Sequence, residues 1–149
     1  MATTLNLYDQ WRDIVADPTR AASVAGTLKC AIVAGTYTPD QNLHDFFNDI
    51  TNEVTGTGYT AGGNACASPT WSGPDGAGLL TFDASDPATW AQNAAGFSNG
   101  RRAIFYYDTG VSTTSRLVGY TNDFGADSGN VAGDFSVAIN AAGIYTSAR

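Results

Sequence analysis

Apolar positions fall into two distinct rhythms along the chain. In LNLYDQWRDIVA, residues 5–16, Leu7, Tyr8, Trp11, Ile14 and Val15 recur at helical spacing, and Asp17-Pro18 ends the run. The pattern predicts an amphipathic N-terminal helix. LKCAIVA, 28–34, is an unbroken apolar run of strand length and predicts a buried strand. Past the turn Gly35–Asp40, Thr38 can cap a helix, Pro39 suits its first position and Gln41 completes a Thr-x-x-Gln box. A second short helix is expected over about 40–50, with Leu43, Phe46, Phe47 and Ile50 inward. Further on the period becomes two: strands are expected at Leu79–Phe82, Ala103–Tyr107 and Arg116–Thr121, the last two pairing across a loop with Gly110. In DFSVAIN, 134–140, Phe135, Val137 and Ile139 share one face. Segments 56–78 and 122–133 read as loops rich in Gly, Ser and Asp.

The expected fold is mainly β, a single β-sandwich-like domain over 1–149 with one or two short helices. Residues 28–144 form its β-rich body, and 1–20 are a candidate helical contact arm. Composition agrees: of 149 residues 43% are hydrophobic but only 14% charged, with 17 glycines, so a core is available and tight turns are frequent. The net charge of −7, with Lys29 the one lysine, argues against nucleic acid, whose binding needs a clustered basic surface. The opening residues lack the basic and apolar regions of a signal peptide, and no run is long enough for a membrane span. A soluble protein made in the cytoplasm is expected. Cys30 and Cys66 could form one bridge, but Cys30 lies in an apolar run that favours a buried free thiol.

Candidate chemistry centres on HDFFNDITNEVTGTGYTAGG, 44–63. His44, the single histidine, is followed by Asp45, Asp49 and Glu53, but one histidine gives one good nitrogen ligand and the apolar spacing turns the acids outward. No metal or cofactor is expected. A nucleophile elbow is missing, and the one Glu sits in no acidic pair of recognisable context, so no catalytic residues are assigned. TNDFGADSGN, 121–130, with Asp123, Asp127, Ser128 and Asn130, lacks calcium-loop spacing and reads as solvated loop. Trp71, Trp90, Tyr106 and Tyr107 could stack on sugars, though in a β domain such rings more often belong to the core.

The order LKCAIVAGTYTPDQNLHDFFNDITNEVTGTGYTAGG, FDASDPATW, RRAIFYYDTG, RLVGYTNDFG, FSVAINAAGI resembles a family of small virion-associated proteins of tailed bacteriophages. The resemblance covers about 28–144 and carries no catalytic residues. It implies a particle component: a non-enzymatic decoration, or cement, protein on the outer surface of the major capsid shell. Its partners would be the major capsid protein and itself, as homotrimer or homodimer. A tail or head-fibre component and a carbohydrate-binding adhesion module on the virion are the alternatives. On this reading His44, Asp45, Glu53, Tyr59, Gly62 and Gly63 form an architectural corner, with His44 bonded to a carboxylate or carbonyl. The apolar stripe Leu7, Trp11 and Ile14 is the candidate capsid contact.

Overall fold

The computed structural model describes residues 2–3, 5–15, 24–72 and 79–148. The continuous apolar run becomes the buried strand β3, Thr27–Ala34. It pairs antiparallel with β7, Gly100–Asp108, which pairs antiparallel with β8, Arg116–Thr121. Two short edges complete a five-stranded sheet: β2, Leu5–Leu7, beside β8, and β4, Asn64–Ala65, beside β3. A second, three-stranded antiparallel sheet has β6, Leu79–Asp83, between β5, Thr70–Ser72, and β10, Tyr145–Ala148. A small parallel pair joins β1, Ala2–Thr3, to β9, Ala138–Ile139. The fold is thus mainly β and sandwich-like, with a single α-helix, α1, over Asp9–Val15 among the described residues.

Both faces of the five-stranded sheet are covered, which accounts for the near-continuous apolar character of β3 and β7. On one face Leu28, Cys30, Ile32, Phe105, Tyr107 and Val118 pack against Phe82 and Ile144 of the second-sheet side. On the other, Ala31, Val33, Ile104, Tyr106 and Leu117 are roofed by Tyr37, Phe47 and Ile50 of the segment after β3. The β7–β8 register shifts between Phe105 and Tyr106. Strand β8 carries an extra residue there, so Leu117 and Tyr120, three apart, both serve the roofed face.

Four sequence expectations need correction. The first concerns the N-terminal stripe, which is strand then helix, and it belongs to the chain's own core. Leu7, Trp11 and Ile14 are buried, with Trp11 at 0% exposure, stacked on Tyr107 and Trp71 and tilted against Phe82. An anchor with no accessible surface cannot contact a capsid, so the contact-arm assignment fails. The expected stop at Asp17-Pro18 lies outside the described residues.

The second concerns the helix expected over 40–50, which reduces to one 3-10 turn, Phe47–Asp49. Asp40 Oδ1 accepts the amides of Asn42 and Leu43, and Asp49 Oδ2 accepts those of Asp45 and Phe46. Side chains thereby take donors in place of helical carbonyls. Neither does the Thr-x-x-Gln box form as expected: Gln41 Nε2 donates to the Leu7 carbonyl, and Leu43 is 74% exposed.

Third, segment 56–78 contains β4 and β5 within its described part. Fourth, 134–140 is a strand only at Ala138–Ile139, although Val137 is buried, Phe135 half-buried and Ser136 exposed.

Candidate functional site

The corner 44–63 follows from three backbone demands. Gly62 and Gly63 adopt φ of +87° and +71°, a region closed to most side chains. A Cβ on Gly63 would overlap the Cys30 carbonyl, so only glycine lets the chain turn this close to β3. Glu53 then spans the turn: its Oε1 accepts the Tyr59 hydroxyl at 2.7 Å and the Gly62 amide at 2.6 Å. The Tyr59 oxygen in turn accepts the Ile32 amide at 2.9 Å, and Tyr106 donates to the Gly62 carbonyl at 2.8 Å. Burial, reinforced by the Glu53 charge, drives the Tyr59 hydroxyl far above the usual phenol range, and Tyr106 likewise rises through burial. Both remain neutral donors at any physiological pH.

His44 lies elsewhere. Its Nδ1 contacts the Tyr37 hydroxyl at 2.9 Å and accepts the Asp40 amide at 3.3 Å, and its ring stacks on Tyr37. Tyr37 meets the buried Tyr8 hydroxyl at 2.9 Å, giving a chain Tyr8–Tyr37–His44 under the roofed face. Burial pushes Tyr37 up to about 12. The expected carbonyl partner is met by the His44 backbone amide, which donates to the Asp40 carbonyl at 3.1 Å, while the ring itself takes a phenol and an amide because the missing helix leaves Asp40 and Tyr37 alongside it. Asp45 contributes its backbone, the amide to Asp49 and the carbonyl to Leu117 N at 3.0 Å. The structure therefore brings Glu53, Tyr59, Gly62 and Gly63 together and sets His44 and Asp45 in a separate network.

Chemically, these groups are occupied with holding loops. Among the described residues, no three His, Cys, Asp or Glu side chains converge as metal ligands. Asp123 and Asp127 of the calcium-like loop pair with arginines: Arg101 Nη2 reaches Asp123 Oδ1 at 2.8 Å and Arg102 reaches its other oxygen at 3.3 Å. The Gly125 amide first, then Arg101, holds the Asp123 carboxyl below the usual carboxylate range. Trp90, Tyr106 and Tyr107 are buried and closed to sugars, while Trp71 keeps part of its ring accessible against Phe82.

One structural residue escaped sequence reading. Asn130 is fully buried: its Oδ1 accepts the Phe97 amide at 2.9 Å, and its Nδ2 donates to the carbonyls of Ala91 at 2.8 Å and Thr57 at 3.4 Å. It ties three loops into one. No local signal marks it: Gly129 beside it and Gly96 opposite leave no room for a Cβ only once the distant segments have met.

Cys30 and Cys66 are free and buried. Burial raises the Cys66 thiol to about 12 and Cys30 well above the ordinary thiol range. The nucleophilic thiolate is therefore suppressed at both. Native protein at pH 8 is expected to leave Ellman's reagent unreacted over minutes, whereas denatured protein titrates both thiols. A fast native phase would contradict the burial of that cysteine.

No helix among the described residues is long and apolar enough to cross a membrane. No family model, curated protein or solved structure matches the chain.

Proposed function

We propose that this chain is a non-enzymatic structural component of a tailed-phage particle, a decoration protein on the outer surface of the major capsid shell. The observation that carries the reading is the internal use of the motif residues. The motif order resembles that of small virion proteins, and its polar members are spent on the chain's own groups: Glu53 on the Tyr59 hydroxyl and the Gly62 amide, Asp49 on the amides of Asp45 and Phe46. A catalytic set keeps a reactive atom facing a substrate cleft. Here the carboxylates and phenols are consumed as internal ties, as suits a part whose task is to hold shape. The acidic balance, −7, disfavours contact with DNA and keeps free copies soluble. The partners on this reading are the major capsid protein and further copies of the chain.

Quantifying the chain in purified particles by mass spectrometry, beside co-sedimentation with undecorated shells, tests the proposal. Hundreds of copies per particle, with binding to shells, is the expected result. A few to a few dozen copies would move it to the tail or a head fibre, and absence from particles would end the virion reading.

A further inference from the structure

The two main sheets present four edge strands, and three are blunted. The Leu7 carbonyl of β2 is capped by Gln41 Nε2, and the Gln41 carbonyl takes the Asp9 amide just beyond the strand. Strand β4 has only two residues, with the Asn64 side chain turned to the Ala88 carbonyl. Strand β5 starts directly after Pro69, which has no N–H, and Ser68, whose φ is +50°. Charge, proline, brevity and a covering group are the usual protections of an edge, and β10, the longest of the four, carries no charge, no proline and no covering group among the described residues. Its four residues, Tyr145-Thr146-Ser147-Ala148, are uncharged and border β6 on one side only. Along it runs a groove of about 240 Å³, lined by Leu5, Ala142, Ile144, Tyr145 and Thr146. This is the flank where the edges β2 and β10 of the two sheets part.

We propose that this flank receives the β10 strand of a second copy of the chain, antiparallel about a two-fold axis. Two three-stranded sheets then join into one of six. An antiparallel strand edge is complementary to itself, so the contact closes with symmetry and leaves at the rims of the joined sheet only the two β5 edges, each preceded by Pro69. Charge selects the same strip. Two copies at −7 repel, and β10 brings them together through uncharged residues. The inference rests only on the self-association part of the function proposed above.

Sedimentation velocity on the full chain over a concentration series is the test, with Thr146→Lys and Ser72→Lys as variants. Both positions are exposed on edge strands, so the monomer tolerates either, and circular dichroism melts verify this. Wild type is expected to dimerise. Thr146→Lys sets two like charges near the axis and should weaken the dimer about tenfold or more, although it lowers the net negative charge. Ser72→Lys should leave it intact. A wild type that stays monomeric overturns the pairing and the self-association reading together. A dimer indifferent to Thr146→Lys, or broken equally by Ser72→Lys, overturns the β10 contact but leaves self-association standing. Amides of β10 that exchange freely in isolated protein and become protected only on shells would overturn it in favour of a foreign strand.

Discussion

Replacing Trp11 by alanine lowers the unfolding free energy by about 3–5 kcal/mol, the range for large aromatic truncations in a closed core. The indole sits between the sheets, stacked at 5.6 Å on Tyr107 and 6.1 Å on Trp71, with Phe82 at 5.7 Å. Rigid rings from three strands bound the vacated space, so it collapses poorly and the cavity contribution stays near the upper end. Among the described residues the indole Nε1 has no hydrogen-bond partner, so packing sets the size of the effect. Domains of this size are stable by roughly 5–15 kcal/mol, and a loss of this magnitude brings the variant close to unfolding at physiological temperature. Equilibrium urea denaturation followed by circular dichroism measures it. A midpoint unchanged from wild type would mean that the stripe packs as loosely as an external arm.

Gly63→Ala is the second severe change, with an expected cost of about 3 kcal/mol or more. Two penalties act together. The left-handed φ of +71° strains any L residue, and the added methyl would occupy the space of the Cys30 carbonyl. Relief requires β4 to move off β3 and the Glu53–Gly62–Tyr106 ties to lengthen. Gly110→Ala is the control: its φ is also positive, +85°, but nothing lies near the new methyl, so its cost is backbone strain alone, about 1 kcal/mol. Thermal melts of the pair separate strain from overlap. Equal shifts would show that the close approach to Cys30 is unimportant.

The strands were legible where burial was two-sided or alternation long. Thr27–Ala34, Gly100–Asp108 and Arg116–Thr121 follow from the apolar runs within them, and the glycines at 62–63 announced a turn. Helical spacing misled twice. Leu43, Phe46, Phe47 and Ile50 satisfy a period of 3.6, but Asp40 and Asp49 offer the backbone better local acceptors, and the segment settles as a roof over Tyr106. In the N-terminal stretch one stripe hides two directions: Tyr8 turns to the roofed face and Trp11 into the space between the sheets. Such a division depends on the path of β2 beside β8, more than 100 positions away in sequence. Asn130 was illegible for the same reason, because its partners Thr57, Ala91 and Phe97 are distant along the chain. Acidic and glycine-rich surroundings made it look solvated.

The pairing of β2 with β8 and of β1 with β9 also sets a timetable for synthesis. Strands β1 and β2 are synthesised long before the strands they join, at 138–139 and 116–121. Until those strands are made, Trp11 therefore has no completed core to enter, and the nascent chain carries this aromatic surface uncovered. Sequence separation of this size places the domain among high-contact-order folds, which close in milliseconds to seconds rather than microseconds. The acidic character of the chain then acts before the native state exists, since mutual repulsion keeps unfinished copies apart while the partner strands are made.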